Sequence, residues 1–139
     1  MKASQGEQRI INILKKEKKK FEREYSFSNL KSYKGRKLRF DFALFEEDKI
    51  ISLIEFQGRQ HYIYNKHFTK TSAQFLYRQE MDLRKCQYAL ANNIPLYCIP
   101  YYDLDKLNKY EDLINPKYLV KNKWHNHNVA FDLRKSKKL

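Results

Sequence analysis

Two short apolar runs, LRFDFALF at 38–45 and IISLIEFQG at 50–58, constrain this chain more than any other feature in it. Both are rich in β-branched and aromatic residues, and only Glu46, Glu47, Asp48 and Lys49 separate them. That pattern predicts an antiparallel hairpin. Each run also carries an acid among apolar neighbours, Asp41 in the first and Glu55 in the second. Burying a carboxylate costs on the order of several kcal/mol unless a metal ion or a dedicated hydrogen-bond donor compensates. The register decides whether the two acids act together. A four-residue turn pairs Phe45 with Ile50 and sets Asp41 against Ile54, with Glu55 on the other side. A five-residue loop, or a bulge equivalent to it, sets Asp41 opposite Glu55 with both side chains on one face. Propensity does not choose between them. The expectation carried forward is the second arrangement, with the acids near enough to share an ion and His61 at the same rim.

Around the hairpin, Ser4-Gln5-Gly6-Glu7 has the spacing of a capping box, and Ile10, Ile11 and Leu14 follow at helical intervals. These predict a helix from Gln5 to about Phe21. Tyr25 to Leu30 reads as a short strand, and a basic loop containing Gly35 leads into the hairpin. Ser72 to Asn92 predicts a second helix with Leu76, Leu83, Cys86 and Leu90 on its apolar stripe, stopped by Asn92, Asn93 and Pro95. Leu96 to Tyr101 reads as a buried strand and Asp103 to Ile114 as a short helix. The order is helix, strand, strand, strand, helix, strand, an α/β chain of the α+β mixed-sheet kind. A chain of 139 residues has material for one core, so the division expected is one domain over 1–115 and a basic C-terminal extension over 116–139.

Composition excludes several kinds of chemistry. With Gly only at 6, 35 and 58, neither a Walker loop nor a dinucleotide fingerprint can be written. Two cysteines, Cys86 and Cys98, build neither a four-cysteine zinc site nor a disulfide framework and read as core thiols. No N-terminal apolar run and no long apolar stretch is present, so a soluble, cytoplasmic protein without membrane contact is expected, in the host cytoplasm if phage-encoded. The net charge of +13 is segregated. Residues 1–20 carry seven basic and two acidic side chains, 31–39 five basic and none acidic, and 117–139 seven basic and one acidic. Those stretches hold +16 against −3 for the rest, the footprint expected of a phosphate-backbone partner rather than of evenly spread solubilising charge. A basic solvated surface or an anionic-membrane contact is the alternative. Candidate nucleic-acid contacts are Lys18, Lys19 and Lys20 after the first helix, Lys34, Arg36 and Lys37 in the basic loop, and Arg59 beyond the hairpin.

The array of Glu7 on the first helix, Asp41 in a strand, Glu55-Phe56-Gln57-Gly58 ending the next and Gln60-His61-Tyr62 after it resembles the PD-(D/E)xK nuclease superfamily. Within it the chain is similar to the branch of very-short-patch repair endonucleases and phage homing endonucleases with an EDxHD signature. That signature carries over as Glu7, Asp41, His61 and Asp82, and the resemblance covers residues 6–102. It implies a restriction-endonuclease-like core, DNA as partner, and phosphodiester hydrolysis dependent on magnesium, with manganese as its substitute. Gln57 departs from the superfamily pattern because it stands where the usual lysine would.

The implied metal ligands are Asp41 and Glu55, oxygen donors suited to a hard divalent cation. His61 would serve as general base or water orienter, Glu7 would position water or the histidine, and Asp82 with Lys85 would complete the cluster. Each has a plainer reading. Glu7 is also the N3 member of a capping box, Asp82 and Lys85 an i,i+3 helix pair, His61 a loop histidine and Gln57 a strand-end amide. A phage or mobile-element endonuclease, a structure-specific repair or junction nuclease, and a non-catalytic nucleic-acid-binding protein all remain open. So short a chain reads bases with low specificity or as a homodimer.

Overall fold

The computed structural model describes residues 3–58 and 72–122. A mixed four-stranded sheet is built in the order β1 (Lys20–Lys31), β2 (Lys37–Glu46), β3 (Lys49–Gln57), β4 (Leu96–Pro100). β1, β2 and β3 run antiparallel in sequence order, and β4 joins β3 in parallel. Helix α1 (Gln5–Lys16) precedes the sheet, and α2 (Ser72–Ala91) lies between β3 and β4. Among the described residues no helix is long and apolar enough to cross a membrane.

The expected capping box forms at Ser4 and Glu7, but α1 stops at Lys16 rather than near Phe21. Lys18 takes a left-handed conformation (φ 55°), Lys18 N donates to Lys15 O at 3.1 Å, and Lys19 N donates to Leu14 O at 2.9 Å. This is the Schellman closure, made here without glycine. The chain turns straight into β1, which at twelve residues is longer than the short strand expected. Asn93 (φ 55°) closes α2 in the same way, with Ile94 N donating to Ala89 O at 2.9 Å.

The hairpin is present, with a tighter turn than either expected loop. Glu46 pairs with Lys49, leaving Glu47 and Asp48, both left-handed, as a two-residue turn of the type that suits strand twist. Phe45 pairs with Ile50, and the register then slips so that Leu44 pairs with Ser52 and Phe42 with Ile54. Ile51 is the extra residue of that bulge and is 38% exposed.

Two apolar clusters cover the two faces of the sheet. On one, Ile10 and Leu14 of α1 meet Phe42, Leu44, Ile54 and Ile99. On the other, Cys86 and Ala89 of α2 meet Phe40, Ala43, Leu53 and Cys98. Phe40 and Phe42 are two residues apart, yet they pack on opposite faces, as do Phe21 and Tyr25 of β1. Side-chain direction therefore reverses across Asp41 and across Glu24, whose φ is 51°. β1 and β2 pair Arg23 with Phe42 and Tyr25 with Phe40, which brings the two reversals side by side.

Two further expectations are corrected. The buried stripe of α2 is Phe75, Gln79, Asp82, Cys86 and Ala89, whereas Leu76 (53%) and Leu90 (37%) are exposed. The segment from Asp103 to Ile114 is not one helix. It is a 3-10 turn over Tyr101–Lys106 and a single α turn, α3 (Tyr110–Leu113). Residues counted with the C-terminal extension pack onto the body as far as Val120: Tyr118 and Val120 are buried, Val120 N donates to Leu96 O at 2.9 Å, and Tyr118 OH donates to Asp103 Oδ2 at 2.8 Å.

Candidate active site

Beyond the pair Phe42 and Ile54 the β2–β3 ladder changes character. Asp41 N donates to Glu55 Oε2 at 2.9 Å, and Phe56 N donates to Asp41 Oδ2 at 2.8 Å. Each acid thus accepts from the backbone of the opposite strand, in place of main-chain carbonyls. The bulge at Ile51 makes this possible, because it shifts β3 by the one residue that brings Glu55, not Ile54, alongside Asp41.

From α2, Lys85 Nζ reaches Glu55 Oε1 at 2.6 Å. Both side chains are largely buried, at 16% and 6% exposed. Burial alone would lower the Lys85 ammonium, but contact with Glu55 and the charges of Asp82 and Asp41 outweigh it and hold Lys85 above the ordinary lysine value. Asp41 moves the other way from a normal acid. Burial first and the neighbouring Glu55 charge second push it up to about 9, against the opposing pull of Lys85 and of the Phe56 N–H. Two carboxyl groups thus share one lysine in a place where water cannot spread their charge.

The acids open onto a cavity of about 370 Å³. α1 contributes Ser4 and Glu7, the hairpin Asp41, Glu55, Phe56 and Gly58, and α2 Arg78 and Lys85. The entry of α1 is fixed by Gly6, where a Cβ would lie 2.2 Å from the Phe56 ring, so only glycine lets the helix come this close. Glu7 forms the expected capping box and also borders the cavity. Its Oε1 accepts from Ser4 N at 3.0 Å in the capping box, and the residue lines the cavity.

Of the expected site residues, Glu7, Asp41, Glu55 and Lys85 therefore converge. Gln57 (1% exposed) and Asp82 (4%) are buried nearby without lining the cavity. His61 and Arg59 lie outside the described residues. Arg78 was not anticipated. Nothing in the sequence singles it out among 29 Lys and Arg residues except its spacing, four before Asp82 and seven before Lys85, which sets all three along one side of a helix.

The basic stretches divide between the two ends of the molecule. Lys34 and Arg36 are exposed in the turn from β1 to β2, and Lys37 is exposed at the start of β2. That turn packs on α2 beside Arg78: the Tyr33 and Tyr77 rings meet edge to face at 5.1 Å, and Lys34 Nζ stands 4.7 Å over the Tyr77 ring. Lys18, Lys19 and Lys20 follow the far end of α1, whose last residue, Lys16, lies about 13.5 Å along the helix axis from Glu7. There Lys20 Nζ pairs with Asp48 at 2.7 Å and Lys19 sits over Tyr110.

Among the described residues no three His, Cys, Asp or Glu side chains gather closely enough to hold a metal ion by themselves. The donor set is a pair. Two adjacent carboxyl groups, hard oxygen donors, fit a magnesium-like ion, which commonly takes one or two protein carboxylates and fills its other positions with water and substrate phosphate. No protein-family model, curated protein or solved structure matches the chain.

Proposed function

We propose that this chain is a divalent-metal-dependent DNA endonuclease of the PD-(D/E)xK kind, of phage or mobile-element type, built on a restriction-endonuclease-like core. One observation carries the reading: Asp41 and Glu55 are interlocked across β2 and β3 at the wall of a cavity, with Lys85 on Glu55. Two buried acids set side by side have no structural advantage over a pair of apolar side chains. Their value lies in holding a cation, and perturbed groups in a cleft mark a functional site. The segregated positive charge supplies the second support, since a nucleic acid is the partner it fits.

In this reading Asp41 and Glu55 hold the ion, which when bound supplies Lewis acidity toward the phosphoryl group and eases ionisation of the attacking water. Lys85 fixes the Glu55 rotamer and keeps a positive charge beside the acids, on a helix rather than at position 57, where the chain has Gln57. Glu7, anchored by its cap, lines the same cavity, where its carboxylate can orient water. His61 is the general base implied by the resemblance.

The test is nicking of supercoiled plasmid with magnesium or with a chelator. Wild-type protein is expected to cut only with the metal. Asp41→Asn and His61→Ala should each remove most cleavage while leaving DNA binding largely intact. Equal cutting by Asp41→Asn, or cutting in chelator, overturns the reading. Metal-dependent binding without any turnover would instead identify a non-catalytic nucleic-acid-binding protein.

A further inference from the structure

Lys85 and Arg78 both line the cavity, and only one is spoken for. Lys85 Nζ is engaged with Glu55 at 2.6 Å. The Nε of Arg78 is buried and has no hydrogen-bond partner among the described residues. A buried donor on a charged group is costly to leave unmade, and native proteins keep few of them. Arg78 is nevertheless held there by α2, the helix that also carries Lys85 and therefore one wall of the acid pair.

We propose that Arg78 is the phosphate anchor of the cavity, its guanidinium gripping the non-bridging oxygens of the phosphodiester that lies against Asp41 and Glu55. This rests on the reading of the cavity as a phosphodiester-hydrolysing site and adds the group that seats the substrate in it. Charge and geometry agree. Glu7, Asp41 and Glu55 line the cavity together with Arg78 and Lys85, three acidic groups with two basic ones. Once a divalent cation joins them the formal balance becomes one positive charge, the complement of one phosphodiester monoanion. The planar guanidinium fork matches two oxygens of a tetrahedral phosphate, where an ammonium offers only a point charge. Arg78 also lies on the side where the β1–β2 turn brings Lys34 over Tyr77, the residue just before it. A backbone tracking past Lys34, Arg36 and Lys37 would thus meet Arg78 before the acids.

The test uses the full-length protein as wild type, Arg78→Gln and Arg78→Lys, with two probes. Mn2+ alone, followed by calorimetry, reports on the acids. Thymidine 5′-monophosphate in saturating Mn2+ reports on the anchor. Mn2+ affinity is expected to be unchanged or higher in both variants, because a neighbouring cation is lost or kept and no ligand is touched. Nucleotide affinity should fall about 10- to 100-fold in Arg78→Gln, the loss expected for a hydrogen bond to a charged group, and by an intermediate factor in Arg78→Lys. In cleavage assays the same variants should raise KM more than they lower kcat. A short duplex with one neutral methylphosphonate at the cut position should lose affinity for wild type and not for Arg78→Gln, a signature that a merely structural arginine would not give. Nucleotide affinity equal to wild type in Arg78→Gln overturns the anchor. Should that variant fail to fold, wild-type nucleotide affinity in a folded Arg78→Lys does the same. Absence of Mn2+ binding by the wild type overturns the underlying reading of the cavity instead.

Discussion

Asp41 and Glu55 each accept a hydrogen bond from the other's strand: Glu55 Oε2 from Asp41 N at 2.9 Å, and Asp41 Oδ2 from the N–H of Phe56, the residue after Glu55, at 2.8 Å. The exchange makes the acids part of the sheet's own connectivity. Neither carboxyl can swing away without leaving a backbone N–H unpaired, so the pair is held in position before any ligand arrives.

The first expected outcome concerns protons. Asp41 sits at about 9 in the folded chain, above the roughly 3.9 of an unfolded aspartate, so folding takes up a proton there. The stability this group contributes is fully present below about pH 4 and is lost as pH rises through about 9. Metal-free wild type should therefore lose Tm relative to Asp41→Asn between about pH 5 and pH 9. Over the same interval Mn2+ affinity should rise, with a proton released per ion bound. A flat Mn2+ affinity from pH 6 to pH 9 would show that Asp41 is not the titrating ligand.

Removing Lys85 tests the buried pair. Lys85→Met leaves Glu55 and Asp41 without their counter-charge and should cost about 3–5 kcal/mol in urea unfolding without metal. Glu55→Gln in the same chain should restore much of that loss. Added Mn2+ should stabilise the Lys85→Met variant more than wild type, because the cation replaces the missing charge. Strict additivity of the two substitutions would mean the 2.6 Å contact carries no coupling energy.

Gly6 offers a purely steric test. A methyl group there would lie 2.2 Å from the Phe56 ring, and overpacking of this kind costs about 1–3 kcal/mol, even though alanine is the better helix former. Gly6→Ala should lower Tm, and Phe56→Leu in the same chain should recover part of the loss. A Gly6→Ala protein more stable than wild type would mean that α1 does not dock on Phe56.

The two basic clusters should differ in DNA binding. Neutralising Lys34, Arg36 and Lys37 should flatten the dependence of log K on log salt by roughly 2 to 3. Neutralising Lys18, Lys19 and Lys20 should do less, since Lys20 is paired with Asp48 and the cluster lies at the other end of α1. Equal slopes for the two triple variants, read between about 50 and 200 mM salt, would place the nucleic acid along the whole helix instead.

What could be read from the residues follows from where local chemistry was decisive. The hairpin was legible because β-branched and aromatic runs leave few other structures open, and the start of α1 because Ser4 and Glu7 are three residues apart. The end of α1 was not, because Lys18 adopts a left-handed conformation that its side chain does nothing to announce. The α2 stripe was misjudged for a related reason. Its buried side includes Asp82 and Gln79 at the approach to a polar cavity, so hydrophobicity pointed to Leu76 and Leu90, which face out. The bulge at Ile51 had no sequence signal at all, yet it settles which residue stands beside Asp41. Arg78 was hidden by abundance, one cation among many until tertiary structure buried its Nε.

α1 is clasped by residues made much later in synthesis. Arg9 Nε donates to Leu107 O at 2.8 Å, and Glu17 Oε2 accepts from Tyr110 N at 2.6 Å, across 98 and 93 positions. The three antiparallel strands are complete by Gln57, but the helix that brings Ser4 and Glu7 to the acids lacks both of these hydrogen bonds until Tyr110 has left the ribosome. Chains cut short after Lys106 should accordingly bind Mn2+ weakly through a carboxylate pair they still contain. For an enzyme of the proposed kind this order of assembly means that the acid pair is complete in the growing chain before the last two bonds that fix the Glu7 wall are made.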